Sequence, residues 1–187
     1  MSAEALAVSR KPIISNAVLG TVIFVITEAM FFTALISAYL VIRAGAGLRW
    51  LPPSDVRLPV GATAINTIAL LISGALMLLS VRLFAKDYAK ARWAFIGSMV
   101  LGMAFVIFQG KEWVGLISVG MTMVSGVFGA CFFLLIGIHG LHAVSAIIAM
   151  GYLGIKGVLQ IEQLQAMTIY WLFIVIIWPL LYRLVYF

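Results

Sequence analysis

The chain has 187 residues, of which 65% are hydrophobic and only 10% are charged. A soluble domain carries about 25% charged residues, so this composition excludes an ordinary water-soluble domain and indicates a surface that mostly faces lipid. The net charge of +6 does not indicate nucleic-acid binding. Nearly all of the twelve Lys and Arg lie in short connections between apolar runs, which is typical of cations that flank membrane spans.

Five apolar stretches are long enough to cross a bilayer, which takes about 20 mostly apolar residues. The predicted fold is therefore all-α, a polytopic membrane protein with a bundle of five transmembrane helices. An N-terminal cytoplasmic segment, residues 1–13, is expected to precede one transmembrane domain, residues 14–187. The predicted spans cover about 14–42, 60–84, 93–117, 122–155 and 164–186.

Glu28 lies near the middle of the first predicted span, in "VITEAMFF". An acidic side chain at that depth is costly, about 2.5–3.5 kcal/mol for an aspartate on insertion scales. Glu28 is therefore expected to be protonated, paired or turned to the protein interior. Two interpretations remain open: a carboxyl that handles protons, and a neutral carboxyl hydrogen-bonded to another helix.

The second span carries a polar seam of Asn66, Ser73 and Ser80 at seven-residue steps, which keep to one side of a helix. Such a seam is typical of a bundle interior, and a substrate path is the alternative. The third span ends in "QGKEW", where Glu112 is predicted to link helices, as Asn66 and Ser73 are, and Trp113 is predicted at headgroup depth.

The fourth span holds both histidines of the chain, His139 and His142, three residues apart and so near one helix face. A zinc or copper site usually needs three or four ligands, and a bis-histidine haem needs ligands on opposite sides of the ring. No third histidine is present. We predict no metal site, and buried histidines that link helices by hydrogen bonds.

The fifth span is rich in aromatic residues and ends near a cation. Aromatic side chains often form belts at the membrane interface, and a terminal arginine can extend to the surface. We predict lipid or subunit-interface contacts for Trp113, Tyr170, Trp171, Trp178 and Arg183.

The cations near the span ends favour one orientation. Seven Lys and Arg fall on the side of the N-terminus and five on the other side, which favours a cytoplasmic N-terminus and an external C-terminus.

No phosphate-binding loop, Ser–His–acid set or Cys-x-x-Cys pair is evident. The residues alone predict a membrane subunit without a self-sufficient active site. A small membrane transporter or channel is an alternative, suggested by Glu28 and the polar seam.

Five stretches in order resemble subunit III of the haem–copper oxidases, the cytochrome c oxidase superfamily. They are "ITEAMFF", "LPVGATAINTIALLISGA", "FQGKEW", "FGACFFLLIGIHGLHAVSA" and "IYWLFIVIIWPLLYRLVY". The fourth is the most specific, because it contains Gly-x-His-Gly-x-His. Together they extend over nearly the whole chain from about residue 14.

The resemblance implies a cofactor-free accessory subunit of a proton-pumping terminal oxidase of aerobic respiration. Such a subunit supports assembly, phospholipid binding and proton uptake by the catalytic subunit. The expected partners are catalytic subunit I and subunit II, which hold haem and copper, together with phospholipids and a larger respiratory supercomplex. The implied location is a bacterial-type plasma membrane. Glu28 matches the intramembrane glutamate of the family, and His139 and His142 match its histidine pair.

The chain also departs from the family pattern. Many members have seven spans, and this one would lack the first two. The last helix commonly carries a histidine and an aspartate at the positions of Leu172 and Val175. A divergent branch, such as the accessory subunit of nitric-oxide reductases, is therefore a further alternative.

Overall fold

The computed structural model describes residues 14–47, 50, 57–157 and 159–187, and the predicted N-terminal segment lies outside them. Within these residues the chain forms five α-helices: α1 Asn16–Ala46, α2 Val60–Leu83, α3 Tyr88–Ser118, α4 Val127–Ile155 and α5 Ile161–Tyr186. At 1.5 Å per residue the helices are about 36–46 Å long, and all five are apolar enough to cross a membrane. The predicted all-α bundle of five transmembrane helices is confirmed.

The start of α3 depends on a capping side chain. The backbone N–H of Lys90 donates to Asp87 Oδ1 over 3.0 Å, which satisfies one of the free donors of the first turn. This hydrogen bond holds the pKa of Asp87 below its ordinary value. The helix therefore begins at Tyr88, five residues before the predicted start of the third span near residue 93.

The start of α4 depends on a turn. Ser125 Oγ donates to the carbonyl oxygen of Thr122 over 2.7 Å, and Gly126 has a φ of 132°, which favours glycine. The helix therefore begins at Val127, and the predicted start near residue 122 lies in the turn.

The fifth helix lies at the centre of the packing, in contact with α1, α2 and α4. The most extensive interface joins α2 and α3, while α4 packs against both α3 and α1. Only Phe32 and Tyr39 of α1 are buried. The first helix is therefore peripheral and leaves most of its apolar surface for lipid or a partner.

Two tryptophans of α5 fill the centre of the bundle. Trp171 Nε1 donates to Ser73 Oγ over 3.0 Å, and Ser73 Oγ in turn donates to the carbonyl oxygen of Ser98 over 2.8 Å. Trp178 Nε1 donates to Thr67 Oγ1 over 2.8 Å. One tryptophan thus joins α5 to the α2–α3 pair, and the other joins α5 to α2.

This placement corrects part of the sequence-based prediction. Trp171 and Trp178 are both 0% exposed, so the predicted lipid or interface contact is wrong for them. A tryptophan favours the interface because its N–H needs a partner. Here Ser73 and Thr67 provide that partner inside the protein, and the rings can be buried completely.

Gly102 of α3 permits the close approach of α5. A Cβ added at Gly102 would lie 2.6 Å from Trp171 Cζ2, well inside van der Waals contact. The indole cannot move away easily, because it is buried and hydrogen-bonded to Ser73.

We predict that Gly102→Ala destabilises the purified protein by about 1–3 kcal/mol, as overpacking of a core does. The measurement is unfolding in detergent followed by tryptophan fluorescence. Gly20→Ala is the matched control, because an added Cβ meets nothing within 4 Å there, and alanine favours helix by up to about 1 kcal/mol. Equal stabilities of the two variants would contradict the packing role of Gly102.

Candidate functional site

The central polar contact of the site joins α1 to α4. His142 Nε2 lies 2.8 Å from Glu28 Oε2, and the two side chains are 15% and 17% exposed. The rings of Phe31 and Phe32 lie 6.4 and 5.2 Å from the imidazole, centroid to centroid. The Glu28 carboxyl group therefore contacts one histidine in mostly apolar surroundings.

The hydrogen bond of the second ring nitrogen, His142 Nδ1, determines how His142 and Glu28 share a proton. His142 Nδ1 lies 2.7 Å from the carbonyl oxygen of Ile138. A carbonyl oxygen only accepts, so Nδ1 must carry a proton. One further proton then bridges His142 Nε2 and Glu28 Oε2. The pair exists either as imidazole and carboxylic acid or as imidazolium and carboxylate.

His139 belongs to a different environment. Its Nε2 donates to the carbonyl oxygen of Ile174 in α5 over 3.1 Å, and the centre of its ring lies 4.9 Å from that of Trp178, with the two rings tilted by 36°. The side chain is only 1% exposed. The two histidines therefore link α4 to different helices, His139 to α5 and His142 to α1.

The polar seam of α2 faces α3. Asn66 Nδ2 donates to the carbonyl oxygen of Phe105 over 3.1 Å, and Ser73 bonds Ser98 as described above. Asn66 and Ser73, the first two residues of the predicted seam, are buried. The third, Ser80, is buried as well, and its hydroxyl has no hydrogen-bond partner in the described ranges.

Glu112 lies in a second network, where α2 begins and α3 and α5 end. Thr63 Oγ1 donates to Glu112 Oε2 over 2.7 Å. Gln109 Nε2 lies 3.2 Å from the same oxygen and 3.0 Å from the hydroxyl of Tyr186. Glu112 was predicted from the sequence, whereas Thr63 and Gln109 were not. The "QGKEW" spacing was a usable signal, since residues three apart share a helix face.

Two further residues missed from the sequence tie α1 to the end of α5. The hydroxyl of Tyr39 donates to the carbonyl oxygen of Leu184 over 2.8 Å, and Arg43 Nη1 donates to it over 3.0 Å. The last carbonyls of a helix have no partner within the helix. Arg43 and Tyr39 satisfy one of them and favourably place a cation at the end of α5.

The remaining predicted contact residues differ in exposure. Arg183 is exposed, with its guanidinium 5.2 Å from the centre of the Phe187 ring. Tyr170 is partly buried and its hydroxyl lies 3.0 Å from Ser145 Oγ. Trp113 is partly buried, with its ring 5.4 Å from Phe133. These three remain candidates for lipid or subunit contact.

Two of the clefts beside α1 are large. One of about 500 Å³ lies between α1, α2 and α5, and its wall includes Arg82, Gln165 and Leu172. The other, of about 390 Å³, lies between α1, α4 and α5 beside Tyr170. Among the residues that the structure describes, no group of three His, Cys, Asp or Glu lies close enough to hold a metal ion.

Comparison with known proteins connects this architecture to one family. The model of the family "Cytochrome c oxidase subunit III" matches residues 3–187. The chain is 30% identical over 178 residues to a probable cytochrome c oxidase subunit 3 of Mycobacterium leprae, which covers 90% of this chain and 86% of the relative. The protein of the same name from Mycobacterium tuberculosis is 31% identical with the same coverage.

A further relative matches over a shorter stretch. Cytochrome c oxidase subunit 3 of Marchantia polymorpha is 32% identical over 127 residues, which are 64% of this chain and 46% of the relative. These names favour an accessory subunit of a terminal oxidase, and favour neither the nitric-oxide reductase subunit nor the transporter. The family predicted by resemblance is thus confirmed: this chain belongs to the cytochrome c oxidase subunit III family.

Proposed function

We propose that this chain serves a proton-pumping terminal oxidase as a cofactor-free accessory subunit, which supports assembly, lipid binding and proton uptake by the catalytic subunit. As an oxidase subunit it acts in a complex with other oxidase subunits. The proposed direct partners are catalytic subunit I, which would carry haem and copper, and subunit II. A larger respiratory supercomplex is a further proposed partner. The proposed location is a bacterial-type plasma membrane, with the N-terminus cytoplasmic and the C-terminus external.

The contact between Glu28 and His142 carries this proposal. It satisfies a carboxyl that would otherwise be costly in hydrocarbon, and it fixes the peripheral helix α1 to α4. Both side chains keep a small exposed fraction. The pair can therefore be reached from the outer surface of the bundle, where a partner subunit would dock.

The hydrogen bonds of the histidines support the cofactor-free role. A metal-binding imidazole needs a nitrogen lone pair free for the metal. His142 uses both nitrogens, for Ile138 and for Glu28. His139 uses Nε2 for Ile174 and is almost completely buried. The two rings also serve different helix pairs, so they do not form a joint ligand set.

The cleft between α1, α2 and α5 is the proposed phospholipid site. Its walls are largely apolar and include Val18, Leu78 and Leu172, which suits an acyl chain. Arg82 lies at its edge in the last turn of α2, and no described carboxylate lies within 4.0 Å of the guanidinium. A lipid phosphate would supply the missing negative charge. Leu172, which replaces a common histidine of the family, extends the apolar wall.

The first prediction from the proposed function concerns cofactors. The chain purified alone is expected to show no haem absorbance and no stoichiometric iron, copper or zinc. His142 engages both of its ring nitrogens, and the lone pair left on His139 Nδ1 has no set of further ligands close to it among the described residues. The measurements are optical spectroscopy and elemental analysis of the reconstituted chain. Stoichiometric haem or metal in that sample would refute the cofactor-free role.

The second prediction concerns the Glu28–His142 pair in the complete oxidase. Glu28→Leu leaves the imidazole without its partner, which costs about 1–3 kcal/mol, so the fraction of this chain that co-purifies with the catalytic subunit should fall. Glu28→Gln keeps a hydrogen-bonding group but cannot share a proton. It should shorten sustained turnover and lower proton uptake, while the initial rate of electron transfer stays close to that of the unmodified oxidase.

The matched control for both variants is Glu162→Gln, since Glu162 is an exposed residue in the first turn of α5. If Glu28→Leu assembled normally and Glu28→Gln behaved like Glu162→Gln in turnover and proton uptake, the proposed role of the pair would be wrong.

The third prediction concerns lipid. Native mass spectrometry of the chain purified with phosphatidylglycerol and phosphatidylcholine should detect retained phosphatidylglycerol, and Arg82→Gln should reduce that retention several-fold by removing the phosphate contact. Arg92→Gln is the matched control, because Arg92 is an exposed cation of α3 outside the cleft. Equal retention in the two variants would place the lipid elsewhere.

A further inference from the structure

A cavity of about 310 Å³ lies between α3 and α4, with Trp178 of α5 at one wall. The α3 side of the cavity includes Gln109 and Trp113, and the α4 side includes His139 and Gly140. The cavity is outside the clefts beside α1, and neither the Glu28–His142 pair nor the proposed lipid site uses it.

Three residues around this cavity share an unusual feature. His139 Nδ1, Gln109 Oε1 and Trp113 Nε1 are each buried and have no hydrogen-bond partner among the described residues. Only four such atoms occur in the described ranges, and three of them belong to residues that line this one cavity. His139 and Gln109 are 1% and 7% exposed. Because buried polar groups are nearly always hydrogen-bonded, such a cluster needs an explanation.

The hydrogen bonds that these residues do make define what a partner must offer. His139 Nε2 donates to Ile174, so Nδ1 of the neutral ring can only accept. Gln109 Nε2 donates to Glu112 and Tyr186, so the free amide oxygen Oε1 also accepts. Trp113 Nε1 can only donate. The missing partner must therefore both donate and accept hydrogen bonds.

We propose that the α3–α4 cavity binds ordered water, which donates to His139 Nδ1 and Gln109 Oε1 and accepts from Trp113 Nε1. A water molecule has two donors and two acceptors, and its share of liquid volume is about 30 Å³, so the cavity has room for several. Through Gln109, this water joins His139 to the network of Glu112, Thr63 and Tyr186. The buried histidine and the carboxyl at the end of α3 then form one hydrogen-bonded system.

A lipid acyl chain is the alternative occupant of the α3–α4 cavity. Leu141 and Val144 line the cavity and are exposed, so a lipid acyl chain would have access from this side. An acyl chain fills volume but offers no hydrogen bonds, and would leave all three polar atoms unpartnered.

The test is solid-state NMR of the full chain in lipid bilayers, with transfer of proton polarisation from water to labelled side chains. The chain has only two histidines, and His142→Gln assigns their signals. Transfer from water to the His139 ring should be several-fold faster than transfer to Leu70, which is 0% exposed. Transfer to His139 no faster than to Leu70, or faster from acyl-chain protons than from water, would overturn the proposal.

A cavity-filling variant locates the water. Gly140→Leu adds a side chain where a Cβ meets nothing within 4 Å, and Gly20→Leu adds one in equally open space on α1. Gly140→Leu should reduce transfer from water to His139 several-fold, and Gly20→Leu should leave it unchanged. Unchanged transfer in a folded Gly140→Leu protein would show that the water lies elsewhere and refute the site. If that variant does not fold, the comparison of His139 with Leu70 in the unmodified chain still decides the question.

Discussion

The hydrocarbon of a bilayer offers polar groups no hydrogen-bond partner, and this constraint explains how the five helices are arranged. Apolar surface alone cannot select a neighbour there, because lipid tails are as apolar as leucine. The selection comes from hydrogen bonds that each join two helices. Glu28 joins α1 to α4, His139 joins α4 to α5, and Trp178 joins α5 to α2.

Close approach between helices makes these hydrogen bonds possible. Gly102 allows the Trp171 indole to lie against α3 while its N–H reaches Ser73 of α2. At Gly137 an added Cβ would lie 3.1 Å from Trp113 Cη2, so that glycine allows the indole to lie against α4. The Trp171 ring beside Gly102 thus provides both packing area and a hydrogen-bond donor. Glycines and aromatic residues on neighbouring helices therefore act together in packing the bundle.

The sequence was sufficient to predict the number of helices and the need of Glu28 for a partner, since both follow from the cost of polar groups in hydrocarbon. It was insufficient to say which histidine would meet Glu28. His139 and His142 lie about 60° apart around a helix of 3.6 residues per turn, and only the positions of α1 and α5 decide between them. For the same reason Trp171 and Trp178 were placed wrongly: their hydrogen-bond partners lie on α2, far away in sequence.

The contacts that hold α1 to the bundle leave one face of this helix free for a partner. The helix is held near its middle by Glu28 and at its end by Tyr39 and Arg43, which both bond the carbonyl oxygen of Leu184. Two attachments at different depths fix the tilt of α1 against α4 and α5. The opposite face of α1 remains apolar and exposed, as Ile23, Met30 and Val41 illustrate. A helix held rigidly on one face and left open on the other presents a defined surface, and shape complementarity on that surface, rather than hydrophobicity, must distinguish a protein partner from lipid.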